Sequence, residues 1–174
     1  MTDAPRIMPK RLMPSRILHA IATQRTMDAI THCWHWADRN LSPGERWLGA
    51  YVVPTFQRPL VWSEAQKIRL MESIYLGLPI GSFVVDDSYT EEIGPAWLWI
   101  LDGQQRLTAI TEYMAGAFPV FGYRYSELSD VEHRFFRNFP VSVVSSRLTE
   151  PAECRDLYER LVYGGTPHDP KEGI

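Results

Sequence analysis

Five consecutive residues, Asp102, Gly103, Gln104, Gln105 and Arg106, combine the side chains and the backbone freedom that a phosphate site needs. The apolar run Trp97 to Leu101 precedes them, and Leu107, Ile110, Thr111 and Met114 follow at helical spacing. The pentapeptide therefore falls on a strand-to-helix turn. Glycine lets a backbone approach a ligand closely, the free N–H groups of a first helical turn favour anions, and Arg106 adds a planar cationic fork that matches phosphate oxygens. A plainer reading uses the same residues: Asp102 as the N-cap, Gly103 as a turn residue and Arg106 as a solvated first-turn side chain. Local chemistry leaves both open.

A second polar turn is Pro54-Thr55-Phe56-Gln57-Arg58-Pro59, where two prolines fix an extended path around Gln57 and Arg58. Other reactive side chains form no comparable pattern. His19, His32, Cys33 and His35 lack a carboxylate at a metal-ligand spacing, so they read as packing or surface residues. Cys33 and Cys154 are far apart and outside any CxxC motif, which suggests neither a disulfide framework nor a structural zinc and predicts a reduced, cytoplasmic protein. His133 and Asn138 sit on an amphipathic helical pattern and read as surface residues, not as part of a nuclease centre.

Positioning these turns requires a small mixed α/β domain. Residues 1–14 read as an extended, proline-punctuated arm, and Ser15 to Asn40 as a helix with Met27, Ile30, Trp34 and Ala37 on its packed face. Together, residues 1–45 are read as an amino-terminal arm and helical extension, and 46–174 as the domain proper. Within the domain, Trp47 to Val53 reads as a strand. Ser63 and Gln66 form a capping box before a helix carrying Ile68, Met71, Tyr75 and Leu78, which Gly77 stops. Phe83 to Val85 and Trp97 to Leu101 read as buried strands, with a solvated acidic loop, Asp86 to Pro95, between them. Ser129 and Glu132 form a second capping box, Val141 to Val144 a further strand, and Thr149 to Val162 a last helix with Cys154, Leu157, Tyr158 and Leu161 inward.

The chain has 174 residues, 45% hydrophobic and 22% charged, with a net charge of −3, the profile of one globular domain that does not coat nucleic acid by bulk charge. Any DNA contact must be local, for instance through Lys10, Arg11, Arg16 and Arg25, or supplied by a partner. No apolar run approaches the ~20 residues of a membrane span.

Three motifs in order, Val53 to Trp62 (VPTFQRPLVW), Leu70 to Pro79 (LMESIYLGLP) and Ile100 to Thr108 (ILDGQQRLT), give the chain its most specific pattern. From about Ala50 to Thr166 it resembles the amino-terminal domain family typified by the GmrSD modification-dependent restriction enzyme and the SspE-type phosphorothioate-sensing defence protein, of the ParB/sulfiredoxin-like fold. The resemblance implies that Gln57 and Arg58 converge with Gly103 to Arg106 on a nucleoside triphosphate, GTP, CTP or ATP, with Mg2+. It implies that Arg58, Arg106 and Arg160 contact phosphates. In a catalytic version, Gln104 or Gln105 orients the attacking water or the nucleotide, Arg106 stabilises charge, and Asp102 holds a magnesium-bound water or caps the helix. One departure bears on hydrolysis: relatives carry Arg-Leu-Asn near the end of this domain, where this chain has Arg160-Leu161-Val162. Valine can bind neither metal nor phosphate.

Many relatives continue into an HNH-type nuclease, whereas this sequence holds no His-Asn-His constellation. The expectation is a nucleotide-binding, sensing or switching subunit in restriction, phage defence or a mobile element, acting on a nuclease or other defence partner. Two alternatives stand beside it: an interaction module that keeps the fold without turnover, and a ParB-like DNA-binding or nicking protein.

Overall fold

The computed structural model describes residues 21–32, 40–86, 97–148 and 150–163. Its main sheet has four strands in the order β1, β6, β4, β5. β1 (Ile21–Thr26) runs antiparallel to β6 (Pro140–Ser146), β6 runs parallel to β4 (Ser82–Asp86), and β4 runs antiparallel to β5 (Ile100–Asp102). A separate hairpin, β2 (Arg46–Leu48) and β3 (Tyr51–Val53), turns at Gly49 and joins the β5 segment through a Val52–Trp99 bridge. The mixed α/β class expected from the sequence is the one observed.

Side-chain alternation along the strands divides the core into two layers. Phe83, Val85 and Ile100 face one cluster, with Met27 and Ile30 of α1 (Met27–Thr31), Met71 and Ile74 of α2 (Glu64–Tyr75), Leu107 and Ile110 of α3 (Gln104–Met114), and Phe136 of α4 (Asp130–Arg137). Val84 and Leu101 face the other, with Trp97, Trp99, and Cys154 and Leu157 of α5 (Pro151–Tyr163). The sheet centre is therefore covered on both sides, and β5 carries α3 on one side and α5 on the other.

Local signals in the sequence are realised where capping chemistry decides the outcome. Ser63 with Gln66 and Ser129 with Glu132 both form complete capping boxes, opening α2 and α4. The helix expected over Ser15 to Asn40 is corrected: Ile21–Thr26 is a strand, and only Met27–Thr31 is helical within the described part. Pairing of six residues with β6 overrides a helical spacing of Met27 and Ile30 that a short helix satisfies equally well. The strand expected at Trp47 to Val53 is two strands of one hairpin. The run Trp97 to Leu101 turns at Leu98 (φ 65°) before β5 begins, and Leu161, expected inward, is exposed. The arm, Cys33 to Arg39, the acidic loop from Asp87 and the segment from Gly164 lie outside the described residues.

Candidate functional site

β5 delivers the chain to Gly103, which is the N-cap of α3 at φ 102°. A Cβ at this position would sit 2.4 Å from Phe83 Cδ1, so both backbone conformation and space demand glycine. Gly103 offers no capping side chain, and Asp102 does not cap the helix in its place. Among the described residues no acceptor meets the backbone N–H groups of Gln104, Gln105 and Arg106. The positive end of an 11-residue helix is left open.

The two glutamines face inward, 6% and 7% exposed, and both are committed to the Pro54–Trp62 loop. Gln105 Oε1 accepts from the N–H groups of Val61 (3.1 Å) and Trp62 (3.2 Å), while its Nε2 donates to Pro59 O (3.1 Å). With its amide oriented as its neighbours require, Gln104 donates to Gln57 Oε1 (2.8 Å) and Arg58 O (3.2 Å) and accepts from Arg46 Nη2 (2.8 Å). Gln57 in turn donates to Ile100 O at 2.7 Å, and the Arg58 N–H donates to Tyr158 Oη on α5 at 2.9 Å. Phe56 anchors the loop from below, with ring centroids 5.4 Å from Trp99 and 5.3 Å from Tyr158.

Arg106 is oriented by a different set of groups. Its Nη1 donates to Ile80 O (2.8 Å), its Nη2 donates to Ser82 O (2.9 Å) and to Asp102 Oδ2 (2.7 Å), and its guanidinium lies 4.9 Å over the Phe83 ring. The side chain is 16% exposed and serves as a latch between α3, β5 and the entry to β4. Arg58 contrasts with it: its side chain is exposed and makes no hydrogen bond or ion pair among the described residues.

These residues enclose a cleft of about 90 Å3, lined by Gln57, Arg58, Asp102, Gly103, Gln104, Gln105 and Arg106 together with Trp62, Tyr158 and Val162. Eight positions singled out by sequence fall into seven lining residues and one outlier. Arg160 points away on the exposed face of α5, where Asp156 accepts from its Nε at 2.9 Å; that hydrogen bond and charge hold its guanidinium further toward the protonated form. Val162, the position at which relatives carry an asparagine, is part of the wall, whereas the wall residues Trp62 and Tyr158 carry no site signal in the sequence, and neither does Arg46, which touches the cleft through Gln104. Tyr158 and Val162 are one helical turn apart, a spacing that shows only once the α5 face toward the cleft is known. Of the basic residues read as a DNA-contacting arm, Lys10, Arg11 and Arg16 lie outside the described part, and Arg25 Nη1 donates to Tyr51 Oη at 3.2 Å.

Among the described residues, no group of three or more His, Cys, Asp or Glu is placed to hold a metal ion, and no helix is long and apolar enough to cross a membrane. Asp102 is the one carboxylate of the cleft lining and is 46% exposed.

In this mixed α/β domain an open helix terminus and an exposed arginine meet on one small cleft. The chain belongs to the family of the GmrSD restriction endonuclease N-terminal domain, whose model matches residues 41–172. That membership sets it in the context of DNA restriction. No curated protein and no solved structure matches the chain.

Proposed function

We propose that this domain binds a nucleoside triphosphate, GTP, CTP or ATP, with Mg2+, and that the bound state switches its engagement with a nuclease or other protein partner in DNA restriction or phage defence. The observation that carries this reading is the meeting of two unspent anion-binding elements on one cleft: the N–H groups opening α3 and the uncommitted Arg58 guanidinium. The cleft volume, about 90 Å3, suits a terminal phosphate, so the nucleoside would lie across the open mouth. Loop Pro54–Trp62 supplies Arg58 from a path already fixed by Gln57, Gln104 and Gln105, which limits the ordering cost of binding.

A magnesium ion fits the donor set as a phosphate-bound ion, since Mg2+ commonly takes one or two carboxylates plus phosphate oxygens and water. Asp102 would hold it, and the ion would neutralise phosphate charge. Binding is favoured over turnover by two features of the wall. Gln104 and Gln105 spend their amides on the loop, leaving neither well placed to orient a water, and Val162 presents an apolar surface. Calorimetric titration with each nucleotide plus Mg2+ tests the proposal. Saturable one-site binding of at least one nucleotide supports it; absence of heat and of competition at millimolar concentrations of all three sinks it.

A further inference from the structure

We infer that Arg46, on the hairpin strand β2, is a second cationic arm of this cleft and makes it selective for ligands with two or more linked phosphates. The inference rests on the anion-site reading above and names which anions the site prefers. Arg46 is exposed, and its one hydrogen bond among the described residues runs from Nη2 to Gln104 Oε1 at 2.8 Å. Gln104 is 6% exposed, and its nitrogen is held by Gln57 Oε1 and Arg58 O. One buried amide thus fixes the Arg46 fork with one end and the Gln57–Arg58 turn with the other. Arg46 is aimed from a strand lying outside the lining residues, and its Nε and Nη1 donors remain unspent.

Charge sharpens the assignment. The cleft and its rim carry Arg46, Arg58 and Arg106 against Asp102, and Arg106 is paired with Asp102, so two positive charges are uncompensated in a chain of net charge −3. Glu45, the sequence neighbour of Arg46, is turned elsewhere: its Oε1 accepts from Trp99 Nε1 and its Oε2 from the Ser42 N–H. A single phosphate is served by the α3 terminus and Arg58. A second linked phosphate is what brings Arg46 into use, because a planar fork held at the rim can reach an anion that does not enter the cleft.

The test compares inorganic phosphate, pyrophosphate and tripolyphosphate as ligands for the full chain, as wild type and as Arg46→Gln, with melting temperature as a folding control. Wild type should prefer the linked phosphates, and Arg46→Gln should lose about tenfold in affinity for pyrophosphate and tripolyphosphate while binding of phosphate stays within about twofold, one charge-assisted contact being worth about that factor or more. Equal losses for all three ligands, or no loss for any, overturns the role of Arg46 while leaving the cleft as an anion site. Failure of wild type to bind any of the three overturns both. A DNA duplex that displaces pyrophosphate at lower phosphate concentration would overturn the preference for a small polyphosphate.

Discussion

Asp102, the last residue of β5, and Arg106, in the first turn of α3, form an ion pair at 2.7 Å that spends the two opposite charges of the pentapeptide on each other. The same guanidinium ties Ile80 O and Ser82 O and covers Phe83, so the arginine that reads as a phosphate fork is first a structural latch. Arg106→Ala should lower unfolding free energy by about 2–4 kcal/mol, since it orphans two carbonyls and a half-buried carboxylate. Arg106→Lys should recover less than half of the loss, because an ammonium cannot reproduce the fork. Urea denaturation of both variants checks this; equal stability of Arg106→Lys and wild type contradicts the latch.

Gln105 carries a comparable structural duty. Its three hydrogen bonds hold the Pro59, Val61 and Trp62 backbone, and Gln105→Ala leaves two N–H groups and one carbonyl without the side chain that satisfies them. We expect a loss of about 2–3 kcal/mol together with faster amide hydrogen exchange at Val61 and Trp62. Unchanged exchange there would show that the loop is held by other means.

Arg106 and Gln105 both owe their structural duty to backbone groups more than twenty residues away, whereas the features legible in the sequence are local. Capping boxes at Ser63 and Ser129, the stop at Gly77 and the strand-to-helix turn at Gly103 depend on neighbours within four residues, and all are found in the structure. The convergence of Gln57 and Arg58 with Gly103 to Arg106 was implied by family resemblance rather than by local spacing, and the cleft lining includes all of them. What could not be read was partner choice over long range. Ile21–Thr26 is a strand because β6 pairs with it, from more than a hundred residues away. Arg106 is a latch because Ile80 and Ser82, at the entry to β4, present two carbonyls to it, and Arg46 joins the cleft only through the burial of Gln104. Arg160 looks equivalent to the other arginines in sequence, yet the phase of α5 turns it outward.

Glycine at position 103 faces two constraints that substitution can separate. Gly103→Ala must place a Cβ 2.4 Å from Phe83 Cδ1 at φ 102°, whereas at Gly77 (φ 72°) an added Cβ meets nothing within 4 Å. The expected losses are about 3 kcal/mol or more at Gly103 and about 1 kcal/mol at Gly77. Thermal or denaturant melts give the comparison, and losses of equal size would mean that crowding against Phe83 is relieved at no cost.

Cys154 is fully buried, and desolvation, reinforced by the Asp86 carboxylate, pushes its thiol up to about 12. The raised value keeps the thiol neutral across physiological pH. At pH 8 its thiolate population should be about a thousandfold below that of the unfolded chain. Peptide-level mass spectrometry after iodoacetamide treatment should find Cys154 unlabelled in native protein and labelled in urea; rapid native labelling would contradict the packing of α5 on β5.

Because Arg106 stabilises the fold, its loss cannot separate binding from folding, and the decisive residue is Arg58. Its side chain is exposed and uncommitted among the described residues, so Arg58→Ala should leave stability within about 0.5 kcal/mol of wild type. The most direct measurement is Mg2+–nucleotide titration of wild type and Arg58→Ala at matched melting temperature. Wild type should bind saturably, and the variant should lose tenfold or more in affinity, about 1.4 kcal/mol. Equal affinities for the two proteins, or no binding by either, would contradict this.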